Sequence, residues 1–364
     1  MTKIPSIAVQ DYGQSIWYDN ISRDLLQAGK INELVEKQGV MGITSNPAIF
    51  MKAICDGHTY DAAIAKKLDQ DAASIYEELA IADIQAAADI LRPVYDRTNG
   101  VDGYVSLEVS PLLADDREST LKEARRLFKI LDRPNAMIKI PGTDSGVAAA
   151  EDAIAEGINV NYTLIFSLEN YREVAESYIR GLERRLSEGK DVKKVASVAS
   201  FFVSRIDTAV DKKLAEINQL SMAGKIAIAN AQLTYVVFQE IFYGERFKKP
   251  RDAGAMVQRP LWASTGTKNP SYSDTLYVDS LIAADTVNTV PPATLNAFIE
   301  HGKVGKSLEE TIDKAQPLMD ALAALGIDLD DVTRKLQVDG VKSFADSFEK
   351  IMLAVDKKKR ALGG

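Results

Sequence analysis

The sequence predicts an α/β fold, a (β/α)8 TIM barrel with additional C-terminal helices. Strand-length apolar runs alternate with helix-length segments, and the segments between strands are long enough to connect parallel strands. Eight such strands in a chain of 364 residues fit a closed barrel of this type. A doubly wound open sheet is the alternative, but no G-x-G-x-x-G motif follows any of the strands, which disfavours it.

The predicted strands are rich in β-branched and aromatic residues. They cover residues 14–21, 39–44, 103–109, 137–140, 158–165, 195–203, 260–265 and 286–290. Pro141-Gly142 and Pro291-Pro292 end two of them sharply, because proline cannot continue the hydrogen-bonded ladder.

The segments between the strands show helical spacing of apolar residues, and several begin with residues that favour the N-cap. The predicted caps are Ser22, Asn46 or Ser45, and Thr143 or Asp144. The predicted helices cover residues 22–37, 58–70, 74–97, 119–131, 144–156, 167–186 and 205–243, the last with a break near 222–224.

No internal repeat and no Pro/Ser-rich linker divides the chain. We therefore expect residues 1–364 to form one barrel domain, in which residues 307–353 form an appended helical layer. The lone Cys55 excludes an intramolecular disulfide and is expected to be a small buried residue. The basic run at 357–360 is expected to be a solvated terminus.

Charge and hydropathy narrow the classes of partner. The formal net charge of −8 is unfavourable for binding nucleic acid, which requires a basic surface. No apolar run approaches the length of a membrane span, and the N-terminal segment lacks the apolar core of a signal peptide. These features predict a cytoplasmic protein with no membrane partner, and they leave a homo-oligomeric assembly open.

Polar residues occur at the ends of strand after strand, where a barrel of this type places its active site. They are Asp19, Thr44 and Asn46, Glu108, Lys139, Asn161 and Thr163, Ser200 and Ser264. Any one of them has a structural explanation, and Asp19, Asn46 and Ser200 are each plausible as caps or turn residues. Together they place two carboxylates, two amides and one amine at a single barrel mouth, which independent caps explain poorly.

Lys139 lies inside an apolar run, where burial of an ammonium group without a partner is unfavourable. One interpretation is an edge strand on which this lysine is solvated. The other is an amine held in a dry cavity, where a lowered pKa allows it to attack a carbonyl. The polar residues at the other strand ends favour the second interpretation.

Two late strands carry candidates for phosphate recognition. Arg205 follows Ser200 at the predicted start of a helix, and Lys268 lies in the T-G-T-K-N-P loop after Ser264. The alternatives are a surface ion pair of the arginine with Asp207 or Asp211, and a free loop lysine.

The sequence contains few residues or motifs that could bind a metal or a cofactor. The only histidines, His58 and His301, lie away from the strand ends, and the chain has neither a P-loop nor a nicotinamide-binding motif. We therefore expect no metal and no cofactor. A strand lysine with carboxylates then indicates Schiff-base carbon–carbon chemistry.

Six motifs, spread from the first predicted strand to the sixth and the start of the helix after it, resemble those of the transaldolase family. They are W-Y-D-N, G-I-T-S-N-P, V-S-L-E-V, I-K-I-P-G-T, V-N-Y-T-L-I-F-S and A-S-F-F-V-S-R-I-D. The resemblance implies that Lys139 forms the Schiff base and that Asp19 and Glu108 are acid–base carboxylates, the latter through a water held by Thr163. It also implies that Asn46 and Asn161 hold substrate hydroxyls and the carbinolamine.

The same resemblance assigns Ser200, Arg205 and Ser264 to a phosphate site, with Thr44 among the substrate-binding residues. Many relatives place a second arginine where this chain has Lys268, and a lysine cannot reproduce the bidentate contact of an arginine. The chain length and this loop suggest a longer-chain branch of the family.

The reaction implied by the resemblance transfers a dihydroxyacetone unit from sedoheptulose 7-phosphate to glyceraldehyde 3-phosphate, giving erythrose 4-phosphate and fructose 6-phosphate. The expected partners are therefore small sugar phosphates. A related class I aldolase that releases the unit to water is one alternative, which the residue at position 108 disfavours. A non-catalytic sugar-phosphate-binding barrel is the other.

Overall fold

The computed structural model describes residues 3–363, and its centre is a closed barrel of eight parallel strands. Each strand pairs with the next in chain order, and β8 pairs with β1. The strands are β1 Gln14–Tyr18, β2 Gly42–Ile43, β3 Val105–Glu108, β4 Ala136–Pro141, β5 Val160–Ile165, β6 Ser197–Phe202, β7 Arg259–Ala263 and β8 Thr286–Val290. The predicted (β/α)8 barrel is confirmed, and the open sheet is excluded.

Helices surround the barrel in alternation with the strands. They are α1 Pro5–Ala8, α2 Arg23–Gln27, α3 Lys30–Gln38, α4 Pro47–Cys55, α5 Asp61–Ile64, α6 Ala72–Arg97, α7 Arg117–Leu131, α8 Asp144–Glu156, α9 Leu168–Ser187, α10 Ser204–Glu216, α11 Ile226–Phe242, α12 Lys248–Asp252, α13 Leu276–Ser280, α14 Pro292–His301, α15 Ser307–Glu310, α16 Ala315–Ala324 and α17 Leu329–Gly363. None of these helices combines the length and the apolar character that a bilayer span requires.

Helix starts agree with the cap predictions. The side chains of Ser22, Asn46 and Thr143 accept hydrogen bonds from backbone N–H groups in the first turns of α2, α4 and α8. Pro47 occupies the first turn of α4, where its missing N–H leaves no hydrogen bond unmade. These local signals fix where the chain leaves a strand and enters the next helix.

Two helix predictions were wrong in extent. The segment 22–37 is split into α2 and α3 because Gly29, at φ 68°, takes a left-handed conformation that interrupts the helix. In the segment 58–70 only the single turn α5 is an α-helix. The predicted break in 205–243 is confirmed, with Gly224 at φ 72° between α10 and α11.

A buried ion pair stabilises the amino-terminal end of the barrel, opposite the predicted site. Arg259 Nη1 at the start of β7 lies 3.2 Å from Asp102 Oδ2. Ser15 Oγ and Trp17 Nε1 donate to the same carboxylate, at 2.7 and 2.8 Å. A buried carboxylate with this many donors is fully compensated, so we interpret this cluster as structural.

The C-terminal helices lie over the barrel, and α17 extends ten residues beyond the predicted limit at 353. The prediction of a solvated basic terminus is confirmed for Lys357 and Arg360, which are exposed, and was wrong for Lys358. Lys358 Nζ donates at 2.6 Å both to the Gly57 carbonyl and to Asp61 Oδ1, and its side chain is only 17% exposed. Cys55, expected to be buried, is exposed. The organisation of residues 1–364 as one domain stays a prediction.

Candidate active site

Lys139 lies in the middle of β4 and points into the carboxyl-end mouth of the barrel. The strand register pairs it with Glu108 of β3 on one side and Asn161 of β5 on the other. Its side chain is 5% exposed, its Nζ donates to the Ser45 carbonyl at 3.1 Å, and it lies 3.5 Å from Glu108 Oε2. The interpretation as a solvated edge lysine is therefore wrong.

Glu108 is a carboxylate in a dry environment. Its side chain is 4% exposed, and neither oxygen has a hydrogen-bond partner among residues 3–363. Burial raises the pKa of Glu108 to about 7, while the nearby Lys139 ammonium opposes that rise and the Asp19 charge adds to it. At neutral pH such a group can both accept and donate a proton.

Asp19 follows β1 and is held by Thr44, the residue after β2, rather than acting as a helix cap. Thr44 Oγ1 donates to Asp19 Oδ1 at 2.7 Å and also lies 2.6 Å from Thr289 Oγ1 of β8. Burial raises the pKa of Asp19, against the attraction of Lys139 and Lys268 and the Thr44 hydrogen bond. Both predicted carboxylates therefore share the field of the same amine.

Asn161 is fixed by a hydrogen-bonded chain across three strands. Ser200 Oγ of β6 donates to Asn161 Oδ1 at 2.7 Å, and Asn161 Nδ2 donates to Ser106 Oγ of β3 at 3.0 Å. All three side chains are buried. The network sets the orientation of the amide beside Lys139, and it places Ser200 against Asn161 rather than with Arg205.

Thr163 and Asn46 contribute further polar atoms. Thr163 Oγ1 is buried and has no hydrogen-bond partner in the described part of the chain, as is true of the Glu108 oxygens. Asn46 serves as the N-cap of α4, since its Oδ1 accepts from the Ile49 N–H at 3.0 Å. The cap interpretation of Asn46 is thus correct, and its amide nitrogen is still available to a substrate.

The candidate phosphate residues lie at the ends of β6 and β7. Arg205 is the second residue of α10, and its Cζ lies 5.2 Å from the centre of the Phe202 ring. Burial alone lowers the pKa of Arg205, with no charged partner near enough to contribute. Ser264, at φ 56°, turns the chain so that its Oγ lies 3.0 Å from Ser204 Oγ.

The ion-pair alternative for Arg205 is wrong, because both candidate carboxylates are engaged elsewhere. Asp207 accepts from the Ala227 N–H and Tyr277 Oη at 2.8 and 2.9 Å. Asp211 accepts from the Gly224 N–H and Tyr272 Oη at 3.0 and 2.7 Å. Lys268 is exposed in its loop and lies close enough to act on the Asp19 charge.

Sequence reasoning missed several residues of this mouth. Ser106 and Thr289 lie within strands, and only the alternation of side chains along β3 and β8 could have pointed to them. Phe344 of α17 lies over Lys139, with 5.7 Å between Nζ and the ring centre. No sequence signal connects a helix 200 residues away with this lysine. In residues 3–363 there is no cluster of three or more metal-ligating side chains.

Comparison of the chain with known proteins identifies its family. The family model described as transaldolase/fructose-6-phosphate aldolase matches residues 16–355, nearly the whole chain. The chain belongs to this family. A protein named transaldolase 2 from Nostoc punctiforme is 47% identical over 98% of both chains. The transaldolase of Mycolicibacterium smegmatis is 46% identical over 97% of both chains.

Because the similarity to proteins with this name extends over nearly the full length of both chains, the protein is an enzyme of the transaldolase type, a transferase. A transaldolase from Mycobacterium tuberculosis, 45% identical over 95% of this chain and 94% of its own, agrees with the other two.

Proposed function

We propose that this enzyme transfers a dihydroxyacetone unit between sugar phosphates through a Schiff base on Lys139. The donor is sedoheptulose 7-phosphate, the acceptor is glyceraldehyde 3-phosphate, and the products are erythrose 4-phosphate and fructose 6-phosphate, as in the pentose phosphate pathway. The observation that supports this most is the row of Glu108, Lys139 and Asn161 on three adjacent strands. It places an amine, a proton carrier and an amide around one reacting carbon.

The first half of the reaction forms the iminium. Neutral Lys139 adds to the ketose carbonyl, and the resulting carbinolamine loses its hydroxyl as water when Glu108 donates a proton. The pKa of Glu108, raised to about 7, makes this carboxyl an effective acid and base at neutral pH. In our assignment Glu108 acts through a water that Thr163 also contacts, because both residues carry buried oxygens without a partner in the described chain.

The second half breaks and re-forms the carbon–carbon bond. Asp19, oriented by Thr44, takes the proton from the sugar hydroxyl as the bond breaks, and the bonding electrons move into the iminium to give an enamine. The aldehyde product leaves while the three-carbon enamine stays on Lys139. The enamine carbon then adds to the carbonyl carbon of the acceptor aldehyde while Asp19 returns its proton to the aldehyde oxygen. Water then adds to the new iminium and releases the ketose from the lysine. Asn46 and Asn161 hold the hydroxyls in these steps.

Arg205 supplies the positive charge for the substrate phosphate in this assignment, with Ser264 and Lys268 in the neighbouring loop. A half-buried guanidinium at a helix N-terminus, with no ion pair among residues 3–363, is suited to a dianion. Sugar phosphates, rather than nucleic acid or membrane, are the proposed partners in the cytoplasm, in keeping with the net charge of −8.

Release of the three-carbon unit to water, as in an aldolase, is the second candidate, because the family model covers fructose-6-phosphate aldolases as well. The two activities share the covalent intermediate and differ in its fate. Incubation with fructose 6-phosphate, with and without erythrose 4-phosphate, distinguishes them by whether free dihydroxyacetone or sedoheptulose 7-phosphate accumulates.

Borohydride trapping tests the central claim. Fructose 6-phosphate and borohydride should label the protein with one three-carbon unit, and peptide mapping should locate it on Lys139. Lys139→Met should abolish labelling and turnover while the fold is kept, since methionine suits a buried apolar site. Lys37→Met, at an exposed lysine, is the control and should label normally. Turnover by Lys139→Met, or labelling at another lysine, would refute the assignment.

A further inference from the structure

One face of the helix α17 lies over the carboxyl-end mouth of the barrel, from β5 to β3. Gln337 on this face contacts the strand ends, since its Nε2 donates to the carbonyls of Gly142 and Leu164 at 2.9 and 3.1 Å. These two carbonyls lie at the ends of β4 and β5, the strands that carry Lys139 and Asn161. The helix is therefore joined directly to the site strands.

One turn further along, the backbone of α17 rests on the candidate phosphate residue. A Cβ at Gly340 would lie 2.9 Å from Leu164 Cδ2 and 3.6 Å from Arg205 Nη1. Glycine inside a helix is less favourable than alanine, because it loses more backbone entropy on folding. The close approach gives a physical reason for glycine at this position.

The next turns place aromatic rings over the reacting groups. Phe344 is 4% exposed, and its ring centre lies 5.7 Å from Lys139 Nζ, within the range of a cation–aromatic contact. Phe348 packs edge-on against Tyr76, at 5.7 Å between ring centres. Phe348 and Tyr76 also line a cavity of about 280 Å³ that reaches Glu108. The face 337, 340, 344 and 348 thus spans the mouth from β5 to β3.

We propose that α17 is the cover of the covalent intermediate and that Phe344 is a specificity-determining residue. Its ring decides whether the three-carbon enamine is passed to an aldehyde or lost to water. The inference rests on the proposed Schiff base at Lys139 and extends it by naming the residue that protects the intermediate.

The reaction that Phe344 suppresses is hydrolysis of the intermediate. A proton adds to the nucleophilic carbon of the enamine and gives the iminium of dihydroxyacetone. Water then adds to the iminium carbon, the carbon–nitrogen bond breaks, and free dihydroxyacetone leaves with the lysine amine restored. The net change consumes one water and no other reactant. An apolar ring beside Nζ slows the first of these steps, because it keeps water, the source of the proton, from the nucleophilic carbon of the enamine. An aldehyde held by the polar residues of the mouth still reaches that carbon. Release of the new ketose starts from an iminium that needs no such protonation, and it uses the water assigned to Glu108 and Thr163.

The experiment measures the ratio of free dihydroxyacetone to sedoheptulose 7-phosphate formed from fructose 6-phosphate and erythrose 4-phosphate. Phe344→Ala should raise this ratio by roughly tenfold, a change of about 1.4 kcal/mol in relative barrier height, because removal of the ring admits water to the enamine carbon. Phe344→Leu keeps the apolar volume and should raise the ratio less. Val338→Ala is the control, because Val338 lies on the same helix and is 64% exposed.

The outcomes separate this inference from the proposed function. If the wild-type protein is not labelled at Lys139 by borohydride, the Schiff base itself is wrong. If the wild type is labelled but both Phe344 variants keep the wild-type ratio, the role of Phe344 is overturned. Circular dichroism and a thermal melt identify a variant that has lost its fold. Phe344→Leu then decides the question alone.

Discussion

Arg205 is the residue whose environment predicts a measurable binding role. Its guanidinium is half-buried, and burial lowers its pKa without help from a carboxylate. Arg205→Ala should therefore raise the KM for sugar phosphates, with a loss of about 1.5–3 kcal/mol for a charged hydrogen bond. Steady-state kinetics with fructose 6-phosphate against unphosphorylated fructose is the measurement, and the effect should be confined to the phosphorylated sugar.

Lys268→Ala is the natural comparison for Arg205→Ala. Lys268 is exposed in a loop and acts as a point charge, so its removal should change the KM in the same direction but less. If both variants change the KM of phosphorylated and unphosphorylated sugars equally, neither residue recognises phosphate.

At the residue scale, the sequence was sufficient to find the polar residues at the ends of predicted strands, which face the barrel mouth. Lys139 could be found because an amine inside an apolar run is rare enough to need an explanation. Thr289 and Phe344 could not, because their place depends on how distant elements pack. The exposure of Cys55 shows the same limit, since composition favours burial of a lone cysteine and only the packing around α4 decides it.

At the scale of elements, strands were more predictable in number than in length. All eight were recognised from apolar runs, yet β2 is only Gly42–Ile43. A Cβ at Gly42 would lie 2.5 Å from the Trp17 indole, so this strand is fixed by a tertiary contact that no local pattern records. Helix caps could be predicted because a cap is a local hydrogen bond, formed three residues from its own partner.

The contacts that hold the C-terminal end of α17 give a prediction at the scale of elements. Lys358 joins the C-terminal turns of this helix to the Gly57 carbonyl and to Asp61, and it lowers the pKa of that aspartate. Lys358→Ala should fray the end of α17 and lower the free energy of unfolding by about 1–2 kcal/mol, the value of partly buried hydrogen bonds. Hydrogen exchange of residues 351–363 and a thermal melt measure both effects.

Lys357→Ala is the matched control, because it removes the same charge one residue earlier from an exposed side chain. The two variants differ only in the anchoring contacts. Equal exchange and equal melting temperatures would show that the contacts of Lys358 do not hold the helix.

At the scale of the whole molecule, the two ends of the barrel differ in how well a buried carboxylate is compensated by hydrogen-bond donors. At the amino end, Asp102 is compensated by Arg259 and two further donors, so its charge is stable inside the fold. At the carboxyl end, Glu108 is equally buried, but its one charged neighbour is Lys139 at 3.5 Å and neither oxygen has a hydrogen-bond partner within residues 3–363. The first arrangement favours stability, and the second keeps a proton carrier available at the expense of stability.

This difference predicts that Glu108→Gln lowers turnover and that its stability relative to wild type increases as the pH rises. The folded pKa of Glu108 is about 7, above its ordinary value of 4.5, so the folded state binds the proton more tightly than the unfolded state does. Its contribution to stability is therefore present at pH values below 4.5 and is lost as the pH rises toward 7. Glutamine has no such charge, so the stability of Glu108→Gln relative to wild type should improve by roughly 2–3 kcal/mol between pH 5 and pH 8.

Urea unfolding of both proteins at the two pH values measures that difference, and the exposed Glu300→Gln variant provides the control. Asp19 is present in both proteins, and in the wild type its charge contributes to the raised pKa of Glu108. Turnover should fall by about 10²- to 10⁴-fold, the usual contribution of an acid–base group. Formation of the Schiff base should be slowed as well, but borohydride should still label Lys139. An equal stability difference at pH 5 and pH 8 would mean that Glu108 does not titrate near neutrality. The proton transfers would then have to be assigned to Asp19 alone.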